Sequence, residues 1–190
     1  MKPPTLFRYS LILLTLPSLA AAACDTSPSG GQGSTTTSTA PETNNGEAAS
    51  RTYVDSRYHY KIDAPGSIRA AADGSAGFVG PTERIEIVVK PGSVGGQAAA
   101  DIKSLPSSLT EFLLKTGPNT VVLNGKKVDK FVFTYGAGTN AVTGKPLHLV
   151  GVRYYIPKDS STFAVVTYGI AADQYDPQGA DDIASTFRWQ

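Results

Sequence analysis

The chain has 190 residues and a formal charge of +1, with 17 Lys and Arg against 16 Asp and Glu. That balance gives none of the concentrated positive charge by which a domain recognises nucleic acid, so nucleic-acid binding is excluded. A single cysteine, Cys24, excludes an intramolecular disulfide, a CxxC redox pair and a cysteine zinc site; the two histidines, His59 and His148, would need carboxylates to complete any metal shell.

Residues 1–23 have the three parts of an export signal. Lys2 and Arg8 supply a positive start, Leu11-Ile12-Leu13-Leu14-Thr15-Leu16 an apolar centre, and Ala20-Ala21-Ala22-Ala23 a zone of small residues for cleavage. The apolar stretch over 9–23 is shorter than the roughly 20 residues of a spanning helix, and Pro17 would break a buried helix there. The sole cysteine follows at once. Leu19-Ala20-Ala21-Ala22-Ala23-Cys24 resembles a bacterial lipobox, with Ala21 where Leu, Val or Ile is usual; ordinary A-x-A cleavage would instead leave Cys24 unmodified. The lipobox resemblance implies a diacylglyceryl group on Cys24, palmitate-type acyl chains and an anchor on the outer face of the bacterial cell membrane. Each buried methylene of such chains contributes about 0.8 kcal/mol.

The segment 24–50 reads as a tether. Of the 26 residues after Cys24, 17 are Ser, Thr, Gly or Pro, and none is aromatic or a large aliphatic. So little apolar surface cannot offset the entropy of ordering, and a flexible coil reaching on the order of 30 Å is expected.

From Arg51 the pattern becomes that of a folded domain, 51–190. Tyr58, Tyr60 and Ile62 alternate with polar residues, predicting a strand over 58–62 that Tyr53-Val54 precedes across a tight turn at Asp55-Ser56-Arg57. Residues 85–89 predict a second strand, closed by Pro91-Gly92. A helix is expected over 97–105, where Ala98, Ala99, Ile102 and Leu105 recur at helical spacing before Pro106. Ser108-Leu109-Thr110-Glu111 fits a capping box and predicts a short helix with Leu109, Phe112 and Leu113 on one face, ended by Gly117-Pro118. Strands over 120–123 and 126–135 are joined by Asn124-Gly125, a strong hairpin signal. A second hairpin joins 147–156 to 162–169. The last helix starts with Asp176 as N-cap and Pro177 at its first position. Ala180, Ile183, Ala184 and Phe187 then form one apolar stripe.

Hairpin-linked strands with helices in two places predict an α+β domain, a mostly antiparallel β-sheet covered by helices. The order of elements resembles the PsbP-like fold family, which includes the PsbP proteins of photosystem II, the DcrB-like and LpqN-like bacterial lipoproteins and a nuclear import factor that binds Ran. Tyr53-Val54-Asp55-Ser56, Tyr58 to Ile62 with Pro65-Gly66, and Ile183-Ala184-Ser185-Thr186-Phe187-Arg188 carry the resemblance, which covers 51–190. It implies an α/β/α sandwich that binds a protein partner in the envelope or a small ligand, without catalysis.

The residues offer no complete catalytic motif. Gly136-Ala137-Gly138-Thr139-Asn140-Ala141 imitates a dinucleotide fingerprint but opens no helix, and Pro146 stands where a Walker loop needs Ser or Thr, so no nucleotide is expected. Asp73-Gly74-Ser75-Ala76-Gly77 lacks the first glycine of a nucleophile elbow. His59 and His148 both read as strand residues, and Asp181-Asp182 as complements of the helix dipole. No calcium loop is present, and neither cofactor nor metal is expected. The strand tyrosines remain. Tyr154 and Tyr155 must point to opposite faces, and an exposed one would suit a binding surface. The expected function is that of a membrane-anchored extracytoplasmic lipoprotein with a non-catalytic binding domain. The alternatives are a hydrolase whose site is scattered in sequence and a structural component of the envelope.

Overall fold

Alternating side chains on long strands decide the architecture. The computed structural model describes residues 50–70, 75–80, 83–139 and 143–190. The predicted export signal, the lipobox with Cys24 and nearly all of the tether lie outside the described residues.

In chain order the elements are β1 (Arg51–Asp55), β2 (Tyr60–Ala64), β3 (Ser67–Ala70), β4 (Ala76–Val79), β5 (Glu83–Pro91), α1 (Gln97–Ser104), β6 (Leu113–Leu123), β7 (Lys126–Thr139), β8 (Pro146–Pro157), β9 (Thr162–Ala171), α2 (Pro177–Thr186) and β10 (Arg188–Trp189). They form a seven-stranded sheet in the order β3-β4-β5-β9-β8-β7-β6 and a three-stranded sheet β1-β2-β10. Every pairing is antiparallel. The α+β class and the mostly antiparallel sheet are therefore as the periodicity predicts.

The central strands are buried on both faces. On β7, Val128 and Val132 join one core, and Phe131 and Phe133 the other. On β9 the split is Ala164, Val166 and Tyr168 against Phe163 and Val165. The first core is covered by α2 and the three-stranded sheet through Ala180, Ala184, Phe187, Tyr60 and Ile62. The second is covered by α1 and the 3-10 turn Leu105–Ser107 through Ala98 and Leu105. Small residues let the helices approach: Ala180 and Ala184 are essentially inaccessible. Gly151 serves a similar end, since a Cβ there would lie 2.4 Å from the ring of Phe133.

Helix α2 has the predicted cap. The Asp176 carboxylate accepts from the amides of Gln178 at 3.1 Å and Gly179 at 3.0 Å, satisfying donors that a first turn leaves open. The Asn124-Gly125 hairpin also forms, with φ of 54° and 74° as a two-residue turn of this kind requires. Asn124 Nδ2 donates to the carbonyls of Ser185 at 2.9 Å and Phe187 at 3.3 Å, so the β6–β7 tip holds the end of α2.

The structure corrects two expectations here. Residues 108–116 are not a helix. After a turn, β6 starts at Leu113 and pairs with β7 as Leu113↔Thr134 and Leu114↔Phe133. Gly117-Pro118 lies inside that strand, where the register shifts between Thr116 and Asn119, and does not end a helix. The interruption suits an edge strand, because a bulged edge is a poor template for another chain. The strand predicted over 58–62 also starts later: Tyr58 and His59 belong to the turn between β1 and β2, and His59 has a φ of 58°. Among the described residues no helix is long and apolar enough to cross a membrane.

Candidate functional site

The adjacent tyrosines of β8 do point to opposite faces, yet neither is exposed, because both faces are covered. Each hydroxyl finds a carboxylate on the helix above it. Tyr154 Oη donates to Asp181 of α2 at 2.7 Å, and Tyr155 Oη to Asp101 of α1 at 2.6 Å. Each carboxylate also meets a cation from the sheet: Lys130 Nζ lies 2.5 Å from Asp181, and Arg153 Nη1 2.8 Å from Asp101. Arg153 is oriented further by Thr167 Oγ1 at 3.1 Å. Tyr168 Oη likewise donates to Glu83 at 2.8 Å. Tyr154 and Tyr155 fasten a helix to each face of the sheet, and Tyr168 joins β9 to β5 within it.

Asp181 thus bonds into the sheet, which corrects its assignment to the helix dipole. Lys130 is 8% exposed, so removing its partner would strand a buried charge. Asp181→Ala is expected to destabilise the domain by about 3 kcal/mol in denaturant titration, the lower end of the range for a broken buried pair, because Asp181 retains some solvent contact. A change below about 0.5 kcal/mol, typical of a surface substitution, would refute the coupling.

The histidines give no catalytic pair. The His59 carbonyl accepts from the Gln190 amide at 2.7 Å, closing the end of the small sheet. His148 is on β8, with Nδ1 3.4 Å from Glu111 Oε2, and both side chains are more than half exposed. Gly136, Ala137 and Gly138 lie in β7, and the next element among the described residues is β8. Residues 140–142 and the 71–74 part of the serine motif lie outside the described residues. Among the described residues no three His, Cys, Asp or Glu side chains are placed to hold a metal ion.

A cleft of about 280 Å³ opens where the β1–β2 turn, the end of β5 and the β8–β9 turn meet. Arg57, Lys90 and Lys158 line it, each from a different segment, with Tyr58, Val89 and Thr162 beside them. Lys158 is held in place. Its Nζ donates to the Tyr58 carbonyl at 3.2 Å and lies 5.2 Å from the centre of the Trp189 ring, a cation–π contact. Arg57 stacks over Tyr58 at 5.4 Å.

The nearby carboxylates are engaged locally. Asp55 Oδ1 accepts from the amides of Arg57 at 2.9 Å and Tyr58 at 2.7 Å. Asp159 Oδ1 accepts from the amide and hydroxyl of Ser161 at 2.7 and 2.8 Å, bonds that hold its carboxyl below the usual range. Neither Lys90 nor Lys158 makes a salt bridge among the described residues. The cleft therefore presents positive charge beside aromatic and aliphatic walls. No sequence motif marks it: Arg57, Lys90 and Lys158 are tens of residues apart and meet only through strand pairing.

No family model and no curated protein matches this chain. Solved structures similar to it in chain path include two bacterial proteins. One is a protein of Bacteroides thetaiotaomicron VPI-5482, with 10% identity and a TM-score of 0.48 over 73% of this chain. The chain spans about half of that protein's length, 48%. The other is LpqN of Mycobacterium tuberculosis, described as involved in cell envelope biogenesis, with 16% identity and a TM-score of 0.36. That match covers 72% of this chain and 78% of LpqN. LpqN-like lipoproteins are among the proteins that the sequence resembles, but identities this low carry neither activity nor partner across.

Proposed function

We propose that this protein is an exported, lipid-anchored domain that acts by binding on the outer face of the bacterial cell membrane, with no catalysis. The cationic cleft carries the binding half of the proposal. It is a concave place lined by cationic side chains, of which Lys90 and Lys158 make no salt bridge among the described residues, a usual setting for a ligand. The export signal and the lipobox ending at Cys24 support the location. The lack of catalysis is supported by how the reactive side chains are used: Asp101, Asp181 and Glu83 are tied to tyrosines, and the two histidines are exposed side chains on separate elements. The envelope role described for LpqN belongs to that protein; here the location rests on residues 1–50.

Cys24→Ala is expected to move the protein from the membrane to the soluble fraction and to abolish the mass increment of a diacylglyceryl group. An unchanged membrane fraction would refute the anchor. Crosslinking in intact membranes should capture a saturable partner or ligand, and binding should weaken when Lys90 and Lys158 are both replaced by Gln. Turnover of ester, peptide or phosphate substrates that is lost on changing His59 or His148 would overturn the non-catalytic assignment.

A further inference from the structure

We infer that the free edge of the seven-stranded sheet, strand β6 with the hairpin turn that follows it, docks the domain on an anionic lipid bilayer, an inference that rests on the membrane location proposed above. The fold leaves apolar surface on this edge. Six large hydrophobic side chains stand exposed among the described residues, and three of them, Leu113, Leu114 and Val122, are on β6. Val122 is the most exposed of the six, at 68%. Single exposed aliphatics are ordinary on any protein surface, whereas several along one strand mark a place of contact.

Charge is sorted along the same strand. From Phe112 to Val128 the sequence has no Asp or Glu, and its charged residues are Lys115, Lys126 and Lys127. All three lysines are exposed and make no salt bridge among the described residues. The flanking acids are engaged locally: Glu111 lies beside His148, and Asp129 accepts from Thr120 Oγ1 at 3.0 Å. Lys127 is paired with Val122 across the hairpin, so a cation and an aliphatic group project together. A lysine in that setting lays its stem along apolar surface and holds its ammonium at the level of lipid phosphates.

The geometry of the strand decides between occupants. An added peptide strand needs a regular row of backbone groups to pair with. β6 shifts register between Leu114 and Thr116 and again between Thr116 and Asn119, and Pro118 has no N–H to offer. A bilayer needs no register. Leu114 pairs with Phe133 and so lies on the α1 side of the sheet, whereas Leu113 pairs with Thr134 and lies on the other side. Apolar groups on both sides of one edge suit an edge-on approach. The 11 residues of β6 span about 30 Å, room for several headgroups. The turn beyond them is already fixed, because Asn124 ties it to the carbonyls of Ser185 and Phe187, so docking costs little ordering. An anchor at Cys24 would keep a bilayer within reach, and contacts too weak for a free protein then act at high effective concentration.

The test follows lysine acylation by mass spectrometry in the full lipidated chain, held in phosphatidylcholine vesicles with and without phosphatidylglycerol. Lys115, Lys126 and Lys127 are expected to react several-fold more slowly where phosphatidylglycerol is present. Lys90, four strands away on β5, should react equally in both. Added salt should remove the difference. Lys126→Gln should lower the docked-to-free ratio by about fivefold, the effect of one cation near an anionic surface. Leu113→Ser combined with Val122→Ser should abolish protection of the lysines. Both side chains are exposed, so thermal midpoints should stay equal. Equal reactivity of the edge lysines in both vesicles, or protection shared equally by Lys90, would overturn the inference; the lysines would then only guard an edge strand against other chains. Protection in intact membranes but not in lipid vesicles would overturn it too, by assigning the edge to an envelope protein. Flotation of the vesicles separates docking from anchoring. If the chain floats and no edge lysine is protected, the anchor stands and the docking falls. If Cys24→Ala floats as well as the native chain, the anchor falls, and lysine protection in that variant still decides the docking.

Discussion

Raising the pH above 10 is expected to unfold the domain in one cooperative step. Tyr60, Tyr154, Tyr155 and Tyr168 are each no more than 5% exposed. Burial pushes all four phenols above their ordinary value of 10.0; bonds to Asp181, Asp101 and Glu83 push Tyr154, Tyr155 and Tyr168 further, since a carboxylate acceptor favours the protonated donor. The folded value is raised, so the sign is fixed. Below pH 10 both states hold these protons and nothing changes. Between pH 10 and the raised folded values the unfolded chain releases protons that the folded one keeps, and stability is lost as pH rises. Each tyrosine contributes a slope of about 1.4 kcal/mol per pH unit, so four together approach roughly 5 kcal/mol per unit. That is a large part of the roughly 5–15 kcal/mol of a typical domain. Tyrosinate absorbance and circular dichroism followed together should change at one pH. Complete ionisation near pH 10 with the dichroism intact would contradict this assignment. Tyr154→Phe should reduce the alkaline slope by about one proton.

Phe187→Ala is the second substitution of large effect. The chain leaves α2 at Phe187, which has an extended backbone and 2% exposure. Its ring stacks on Tyr60 of β2 at 5.2 Å and meets Trp189 edge-on at 5.1 Å. Phe187 therefore continues the apolar stripe of Ala180, Ile183 and Ala184 but packs its ring against the three-stranded sheet. Truncating a buried aromatic typically costs about 3–5 kcal/mol, and here it also uncovers Tyr60. Gln178→Ala should be nearly silent, since it removes only an exposed bond to Asp182, worth about 0.2–0.5 kcal/mol at this spacing. Equal tolerance of both substitutions would mean that the end of α2 is not anchored by this ring.

The strands that sequence reveals well are those whose two faces are both covered. β7, β8 and β9 each carry consecutive apolar residues, such as Phe131 to Phe133, Leu149 with Val150, and Phe163 to Val166, because α1 lies over one face of the sheet and α2 over the other. β3 is missed because all four of its residues, Ser67 to Ala70, are exposed and no alternation develops. The first half of β6 fails for another reason. Leu109 and Phe112 do pack on the α1-side core, so the apolar pair is real. Their helical spacing, however, comes from a turn in which Glu111 has a φ of 52°, and not from a continuous helix. Ser108 and Glu111 imitate a capping box without making one: the Ser108 hydroxyl donates to the Leu105 carbonyl. For the tyrosines, the sequence shows two opposite faces but not which hydroxyl acquires which acid. The cleft is the least legible feature. Its cations become neighbours only because Lys90 pairs with Phe163 across β5 and β9, next to the turn that carries Lys158.

The small sheet has a consequence for biogenesis. β2 is flanked on one side by β1, at the start of the domain, and on the other by β10, at its far end. A chain made or exported from its N-terminus can form the β1–β2 hairpin at once. Lys61 and Tyr60 must then wait for Arg188 and Trp189, more than a hundred residues later, before their second edge is closed. Contacts this distant in sequence form slowly. Until they do, the growing domain carries an open strand edge and an unshielded aromatic face, both of which invite association with other chains. Proteolytic loss of residues 187–190 would recreate that state in the finished protein. The tail of the domain thus works as a latch, and the chain is safest from aggregation only once that latch has closed.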